Sequence, residues 1–246
     1  MIRVAAVGDI HIGEQADGGL TRDLADLHEC ADVLLLAGDL TRHGTTAEAR
    51  CLARLVRTAE VPVVAVLGNH DHHSDEAEGV VDELERVGVE VLEGSSTTVE
   101  VGGCQLGVAG AKGFGGGFVG ASASEFGEPE MKAFVRHTRA IADGLRRELG
   151  SLDTDRRIAL LHYSPVEDTL HGERLEIYPF LGSYLLAEAV DDAGADLVLH
   201  GHAHRGSERG VTPGGVRVRN VARPLIQRSY RLFELDDGRS PAGAAT

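Results

Sequence analysis

Short runs that are apolar at nearly every position alternate along this chain with polar stretches of helical period. The runs begin with IRVAAV at residues 2–7 and continue with VLLLAG, VVAVLG, IALL and LVLHG. Strands without an alternating polar face belong to a sheet covered by helices, which points to the α/β class. IRVAAV reads as an edge-to-core strand. Residues 21–30, 45–59 and 75–87 carry apolar positions at helical spacing, the last with an acidic first turn, and each returns the chain for another parallel strand.

From Val89 to Val108 the pattern changes to short strands broken by Ser and Gly, an antiparallel passage that begins a second layer of sheet. A helix is predicted from Pro129 to about Leu149, with Pro in its first turn and Gly150 as its stop, and another over Ser183–Ala193. Residues 166–181 read as irregular, and two or three late strands fall within 214–235. The glycine-interrupted stretch 110–127 reads as a long loop without regular structure. Its Lys112 and phenylalanines are candidates for a substrate pocket, beside the alternative of a surface loop that touches no substrate. With no repeat and no linker, residues 1–236 are expected to form one domain and 237–246 a frayed tail.

Composition narrows the function. A chain of 246 residues suits one large α/β domain, and its 32 glycines exceed what strand and helix interiors accept, so many belong to loops. The formal net charge of -15 repels phosphate backbones, which argues against DNA or RNA as a partner. No apolar run reaches the roughly 18 residues that cross a bilayer, and the opening residues do not read as a signal peptide. A soluble cytoplasmic protein without a membrane partner is expected. Cys30, Cys51 and Cys104, widely spaced in apolar contexts, are expected as buried free thiols.

Chemistry gathers where the apolar runs stop. GDIH at 8–11, GDLTR at 38–42, GNHD at 68–71, LLHYSP at 160–165 and GHAH at 201–204 each put Asp, Asn or His beside a strand. The carboxyl ends of strands are where α/β proteins place their sites. Asp9 and His11 are two apart, as are His202 and His204, so each pair can face one ion from an extended segment. Gly8, Gly38, Gly68 and Gly201 each precede a candidate ligand, where a missing Cβ permits close approach. A donor set of carboxylate and imidazole without thiolate suits Mn, Fe, Zn or Co. Two ions about 3.5–4 Å apart need a bridging ligand, and Asp39 is the natural one. Capping and turn formation would account for any one of these residues singly.

All five blocks, in this order, resemble the calcineurin-like metallophosphoesterase superfamily, in particular its short bacterial members. The resemblance implies a four-layer α/β/β/α sandwich around a binuclear centre of two divalent or mixed-valence transition metal ions, Mn and Fe foremost. It implies that Asp9, His11 and His204 serve one ion, that Asn69, His162 and His202 serve the other, and that Asp39 joins them. Leu161 stands where the family often has Gly or Ala. His70 is implied as a catalyst that protonates the leaving oxygen. Asp71 is expected to hold its other ring nitrogen, and Arg42 to pair with a carboxylate or approach the phosphate. The expected activity is hydrolysis of a small phosphate ester by a metal-bridging hydroxide. Few basic residues flank the motifs, which favours a phosphodiesterase over a phosphomonoesterase. A non-catalytic metal-binding scaffold is the reading from another class. A homo-oligomer stays open. Of the remaining histidines, His28, His43, His72, His73 and His137 are expected to be solvated or local caps, and His200 to sit beneath the site.

Overall fold

The computed structural model describes residues 1–15 and 17–236, so the expected tail at 237–246 lies outside the described residues. In chain order the elements are β1 (Ile2–Val7), α1 (Gly18–Ala25), β2 (Val33–Ala37), α2 (Thr46–Val56), β3 (Val63–Val66), α3 (Ala77–Glu85), β4 (Val89–Val91), β5 (Ser95–Val101) and β6 (Cys104–Ala111). A small ribbon follows, β7 (Gly117–Phe118) with β8 (Ala121–Ser122), and then α4 (Pro129–Ser151), β9 (Arg156–Leu161), the one-turn α5 (Tyr178–Leu181), α6 (Tyr184–Ala193) and β10 (Leu197–His200). The chain closes with β11 (Arg209–Val211), β12 (Arg217–Asn220), the one-turn α7 (Arg223–Ile226) and β13 (Arg231–Leu235). Side-chain caps fix three helix starts: Asp17 accepts from Gly19 and Leu20, Thr45 from Glu48, and Ser183 from Leu185.

The strands form two sheets, ordered β13-β1-β2-β3-β4 and β11-β12-β10-β9-β6-β5. Alternation along each strand divides its side chains between two cores. From the first sheet, Ala5, Val7, Leu34, Leu36 and Ala65 meet α1, α2 and α3, whereas Val4, Ala6, Leu35, Val64 and Val66 face the second sheet. There they pack on Leu106, Val108, Ile158, Leu160 and Leu199. The opposite faces of β6, β9 and β10, through Ala109, Ala159, Leu161 and Val198, pack on α4 and α6. The layering is therefore α/β/β/α, as the resemblance implied.

Both sheets turn the same end toward one rim. Strands β1, β2 and β3 are parallel neighbours that end beside Asp9, Asp39 and Asn69. Strands β9 and β10, also parallel neighbours, end at His162 and His202. The sheets are joined at that rim where the His162 Nδ1–H donates to the Ala37 carbonyl, N···O 2.9 Å.

Several expectations need correction. Strand β1 is no edge, since β13 pairs antiparallel on its outer side. The passage from Val89 divides: β4 is the parallel edge of the first sheet, and the second sheet begins at Ser95 with the β5–β6 hairpin. Stretch 110–127 is an ordered segment for much of its length. Strand β6 runs on to Ala111, and Gly116 and Gly117 donate to the Pro179 and Gly182 carbonyls. Phe118 is buried there, while Phe126 is exposed. None of the three cysteines forms a disulfide among the described residues, and Cys104 is buried whereas Cys30 and Cys51 are half-buried. Among the described residues no helix is long and apolar enough to cross a membrane.

Gly110 of β6 lies in the contact between the sheets, where a Cβ would sit 2.5 Å from the Leu92 Cβ and 2.8 Å from Val66 Cγ1. Gly110→Ala is expected to cost about 1–3 kcal/mol through overpacking. The measurement is the urea midpoint at unchanged m-value, and an unaltered midpoint would refute this packing of the interface.

Candidate metal centre

Glycine is what lets the candidate ligands approach one another. A Cβ on Gly68 would collide with Asp39 Oδ1 and the Asp39 amide, and one on Gly201 would collide with Asp9 Oδ2. Backbone strain accompanies this crowding. Among the described residues seven non-glycine residues have positive φ, and four of them are Asp9 (54°), His11 (45°), Asp39 (50°) and His202 (70°). Such conformations cost roughly 1–3 kcal/mol each and persist where the surroundings enforce them. Here successive loops brace one another: the Asp9 amide donates to Gly38 O and the His11 amide to Asp39 O.

The side chains converge as two overlapping clusters. Asp9, His11, Asp39 and His204 form one, Asp39, His162 and His202 the other, and within each the ligand atoms lie within 4.8 Å of one another. Asp39 belongs to both. Its Oδ1 accepts from the His70 amide at 2.8 Å and lies 3.3 Å from His162 Nε2, while its Oδ2 is 3.8 Å from His11 Nε2. Asp9 accepts from His204 Nε2 at 2.8 Å and from the His202 amide at 2.9 Å. Asn69 Oδ1 stands 3.1 Å from His162 Nε2.

Burial governs the protonation of these groups. It pushes the Asp9 carboxyl up to about 6, and it pulls His11 down to about 4 and His162 and His202 down to about 3. His204 is held above the usual imidazole range by its hydrogen bond to Asp9. His162 is thus neutral near pH 7 and commits its one ring proton to Ala37 O, leaving Nε2 as a bare lone pair. In this orientation of Asn69, that lone pair faces the oxygens of Asn69 and Asp39 with no hydrogen between them. His202 donates its Nε2–H to the Phe180 carbonyl at 3.3 Å, which frees its Nδ1. Crowded acceptors without protons fit a cation, and the mixed nitrogen and oxygen donors fit a transition metal.

The three residues expected around the chemistry fall differently. His70 stands at the edge of the cluster, partly exposed, with Nε2 4.0 Å from Asp39 Oδ2 and its ring centroid 4.5 Å from that of His11. Asp71 does not hold its other nitrogen, which corrects the expectation: His70 Nδ1 donates to the Arg42 carbonyl at 2.8 Å. Asp71 points inward instead, fully buried, and accepts from the amides of Leu40, Thr41 and Gly68 and from the Thr41 hydroxyl. It clamps the loop carrying Asp39 to the loop carrying Asn69, and burial lifts its carboxyl to about 6. Arg42 is exposed and its guanidinium forms no ion pair among the described residues, so the expected pairing with a carboxylate is absent there. It stays close enough for its charge to disfavour protonation of His11.

Two residues that the sequence offers as the rim of a substrate pocket, Tyr163 and Phe180, support His202 instead. Tyr163 lays its ring 4.3 Å from that of His202, and Phe180 contributes only a carbonyl. His200 is buried beneath the site as expected, with Nε2 2.9 Å from Thr169 Oγ1, whereas His43 is paired with Glu48 and His72 is half-buried rather than solvated.

The buried imidazoles set a pH dependence for the metal-free protein. His11, His162 and His202, with His200 pulled down to about 4 by burial, resist protons that the unfolded chain accepts below about pH 6.5. Their contribution is present above that pH and lost as pH falls toward their folded values. Asp9 and Asp71, raised to about 6, and Glu93, raised by burial, act in the opposite sense, but only once the pH is below about 6, and His204, raised by its bond to Asp9, offsets one of the four imidazoles. The melting temperature of chelator-treated protein is therefore expected to fall between pH 7 and pH 5; a flat or rising curve would contradict these protonation states.

Comparison with known proteins agrees with this geometry. The calcineurin-like phosphoesterase family matches residues 2–206. No curated protein was found to match. Among solved structures, a phosphopantetheinyl hydrolase from Mycobacterium tuberculosis superposes with TM-score 0.69 at 19% identity, covering 97% of this chain and 98% of its own. A putative 5'-nucleotidase from Staphylococcus aureus gives TM-score 0.55 at 17% identity over 89% of this chain and 48% of its own. A purple acid phosphatase from yellow lupin gives 0.51 at 14%, over 89% and 43%. At these identities the likeness is one of fold. Since the family match spans most of the length and takes in all five motif blocks, the chain belongs to the calcineurin-like phosphoesterase family.

Proposed function

We propose that the protein is a binuclear-metal-dependent hydrolase of small phosphate esters, with phosphodiesters as its preferred class, working in the cytoplasm. The observation that carries this reading is the pair of clusters sharing Asp39, whose carboxylate and imidazole donors converge within 4.8 Å as two cations would require. Asp9, His11 and His204 would hold one ion and Asn69, His162 and His202 the other, with Asp39 on both; Mn and Fe suit the donors best, and Zn or Co are compatible. When bound, the ions supply Lewis-acid charge for the phosphoryl oxygens and an activated water as nucleophile.

The remaining steps belong to the chain. His70 donates through Nδ1 to the Arg42 carbonyl, so its Nε2 is the nitrogen left to face the cluster, 4.0 Å from Asp39 Oδ2. As imidazolium it steadies the developing charge and delivers a proton to the departing oxygen. Asp71 acts as a positioning residue, holding the Asp39 and Asn69 loops in register. Arg42 keeps His70 oriented through its backbone, and its free guanidinium can meet a phosphoryl oxygen from the solvent side.

The diester preference rests on the few basic side chains that flank the motifs, fewer than the two terminal oxygens of a monoester would call for. The test is turnover of bis(p-nitrophenyl) phosphate against p-nitrophenyl phosphate after Mn reconstitution. Faster diester turnover is expected. Faster monoester turnover would make the protein a phosphomonoesterase, and no turnover with any of Mn, Fe, Co or Zn would favour a scaffold. Asp39→Asn and His70→Ala are each expected to lower turnover by more than about 100-fold. Only the Asp39 variant should also lose metal, as read by metal content after gel filtration. Equal metal loss in both would show that His70 is a ligand.

A further inference from the structure

Near the candidate metal centre lies a cavity of about 440 Å³, between the end of β6 and α4. Its wall includes His72, Glu93, Lys112, His137, Gly144 and Arg147. The wall of the cavity is tied to the metal cluster through the backbone. The Lys112 carbonyl accepts from the amides of His162 and Tyr163 at 3.0 Å each, and His72 lies three residues beyond Asn69. An aromatic run also connects the two. The Tyr163 ring meets His202 at 4.3 Å and Phe114 at 5.9 Å, and Phe114 meets His137 edge-on at 4.7 Å.

The positive charges on this wall outnumber the negative one: Glu93 is near enough to Lys112 for the two to feel each other, and Arg147 adds a second cation. Helix α4 carries four arginines; Arg136 and Arg139 pair with Glu125, and Arg146 with Asp143 and Asp192. Arg147 forms no salt bridge among the described residues, and neither does Lys112, which is half-buried with Nζ 5.6 Å from the centre of the Phe114 ring. Glu93, the acidic member of the wall, accepts from the Leu67 amide at 3.2 Å and lies beyond salt-bridge distance of Lys112. The Nε2 of His72 is shut off from solvent and meets no hydrogen-bond partner. An unsatisfied ring nitrogen out of solvent is costly, and a half-buried ammonium without a salt bridge keeps donors available for an anion. Gly144 contributes the space. A Cβ there, in the interior of a helix where Gly is unfavourable, would meet only the Arg147 Nη2 at 3.8 Å.

We propose that this cavity binds a second anionic group of the substrate, a phosphate or carboxylate carried several bonds from the scissile phosphorus on the leaving group. Lys112 and Arg147 supply the charge, His72 and His137 further contacts, and Phe114 with Tyr163 the floor along which the connecting chain lies. The assignment rests on the phosphoester-hydrolase reading. It also gives a strongly acidic protein a local reason to accept an anionic ligand away from the metals.

The experiment uses the full chain reconstituted with Mn and a series of α,ω-alkanediol diphosphates of increasing spacer length. Alkyl monophosphates and ω-carboxyalkyl phosphates serve as comparisons. Binding is read by titration calorimetry and by inhibition of bis(p-nitrophenyl) phosphate hydrolysis. At one spacer length the diphosphate or the carboxyalkyl phosphate is expected to bind at least about 10-fold more tightly than the monophosphate, about 1.4 kcal/mol. Whichever does so names the group. That preference is expected to vanish in Lys112→Met and in Gly144→Leu, which fills the cavity from the helix surface, with monophosphate affinity within about 2-fold of the parent. Absence of any spacer-dependent gain, or its survival in both variants, overturns the proposal. A retained binding preference without ester turnover would instead reject the hydrolase reading and leave the anion pocket standing.

Discussion

Burying Asp9 and Asp39 together is the constraint that the rest of this structure answers. Their oxygens fall within one set of donor atoms no more than 4.8 Å apart, in a rim almost closed to solvent. Like charges so placed repel, and the repulsion adds to the cost of burial in holding the Asp9 carboxyl up. Around them the chain has set imidazoles that stay neutral and backbone amides that donate, together with glycines that admit the oxygens at close range. The left-handed backbone at Asp9, His11, Asp39 and His202 is a local cost of the same arrangement, held in place by the ladder between the two ligand loops.

Much of this was legible in the sequence because parallel strands leave a simple signature. Apolar runs ending in Gly-Asp or Gly-Asn-His identified β1, β2 and β3 with their ligands, and the period of α2, α3, α4 and α6 set the outer layers within a few residues. What escaped has physical causes. Strand β13 pairs with β1 from the far end of the chain, so nothing local distinguishes β1 from an edge. Strand β11, three residues long and exposed at two of them, carries no burial pattern. Val89–Val91 and Ser95–Val101 look alike in sequence, yet the chain changes sheet between them.

The site itself was legible as a set of residue types and illegible in its connections. Adjacency suggested that Asp71 serves His70, but a tight helical turn after Asn69 sends neighbouring side chains in different directions. Asp71 therefore goes inward to four donors and His70 outward to a carbonyl. Contributions from main-chain atoms, such as Phe180 O at His202 or Arg42 O at His70, leave no trace in side-chain identity. His72 looked like an ordinary surface histidine within a polar run, and only the closeness of α4 and the segment after β6 removes it from water.

The ligand sets have one more consequence, which follows from where their strands lie. Asp9, Asp39 and Asn69 come from one sheet of the sandwich and His162, His202 and His204 from the other, and each cluster draws on both. Ions seated between them would rivet the two layers at one edge, and either ion would do so by itself. The opposite edge is tied without metal, by apolar packing and by the Arg156 guanidinium, which donates to the Asp236 carbonyl.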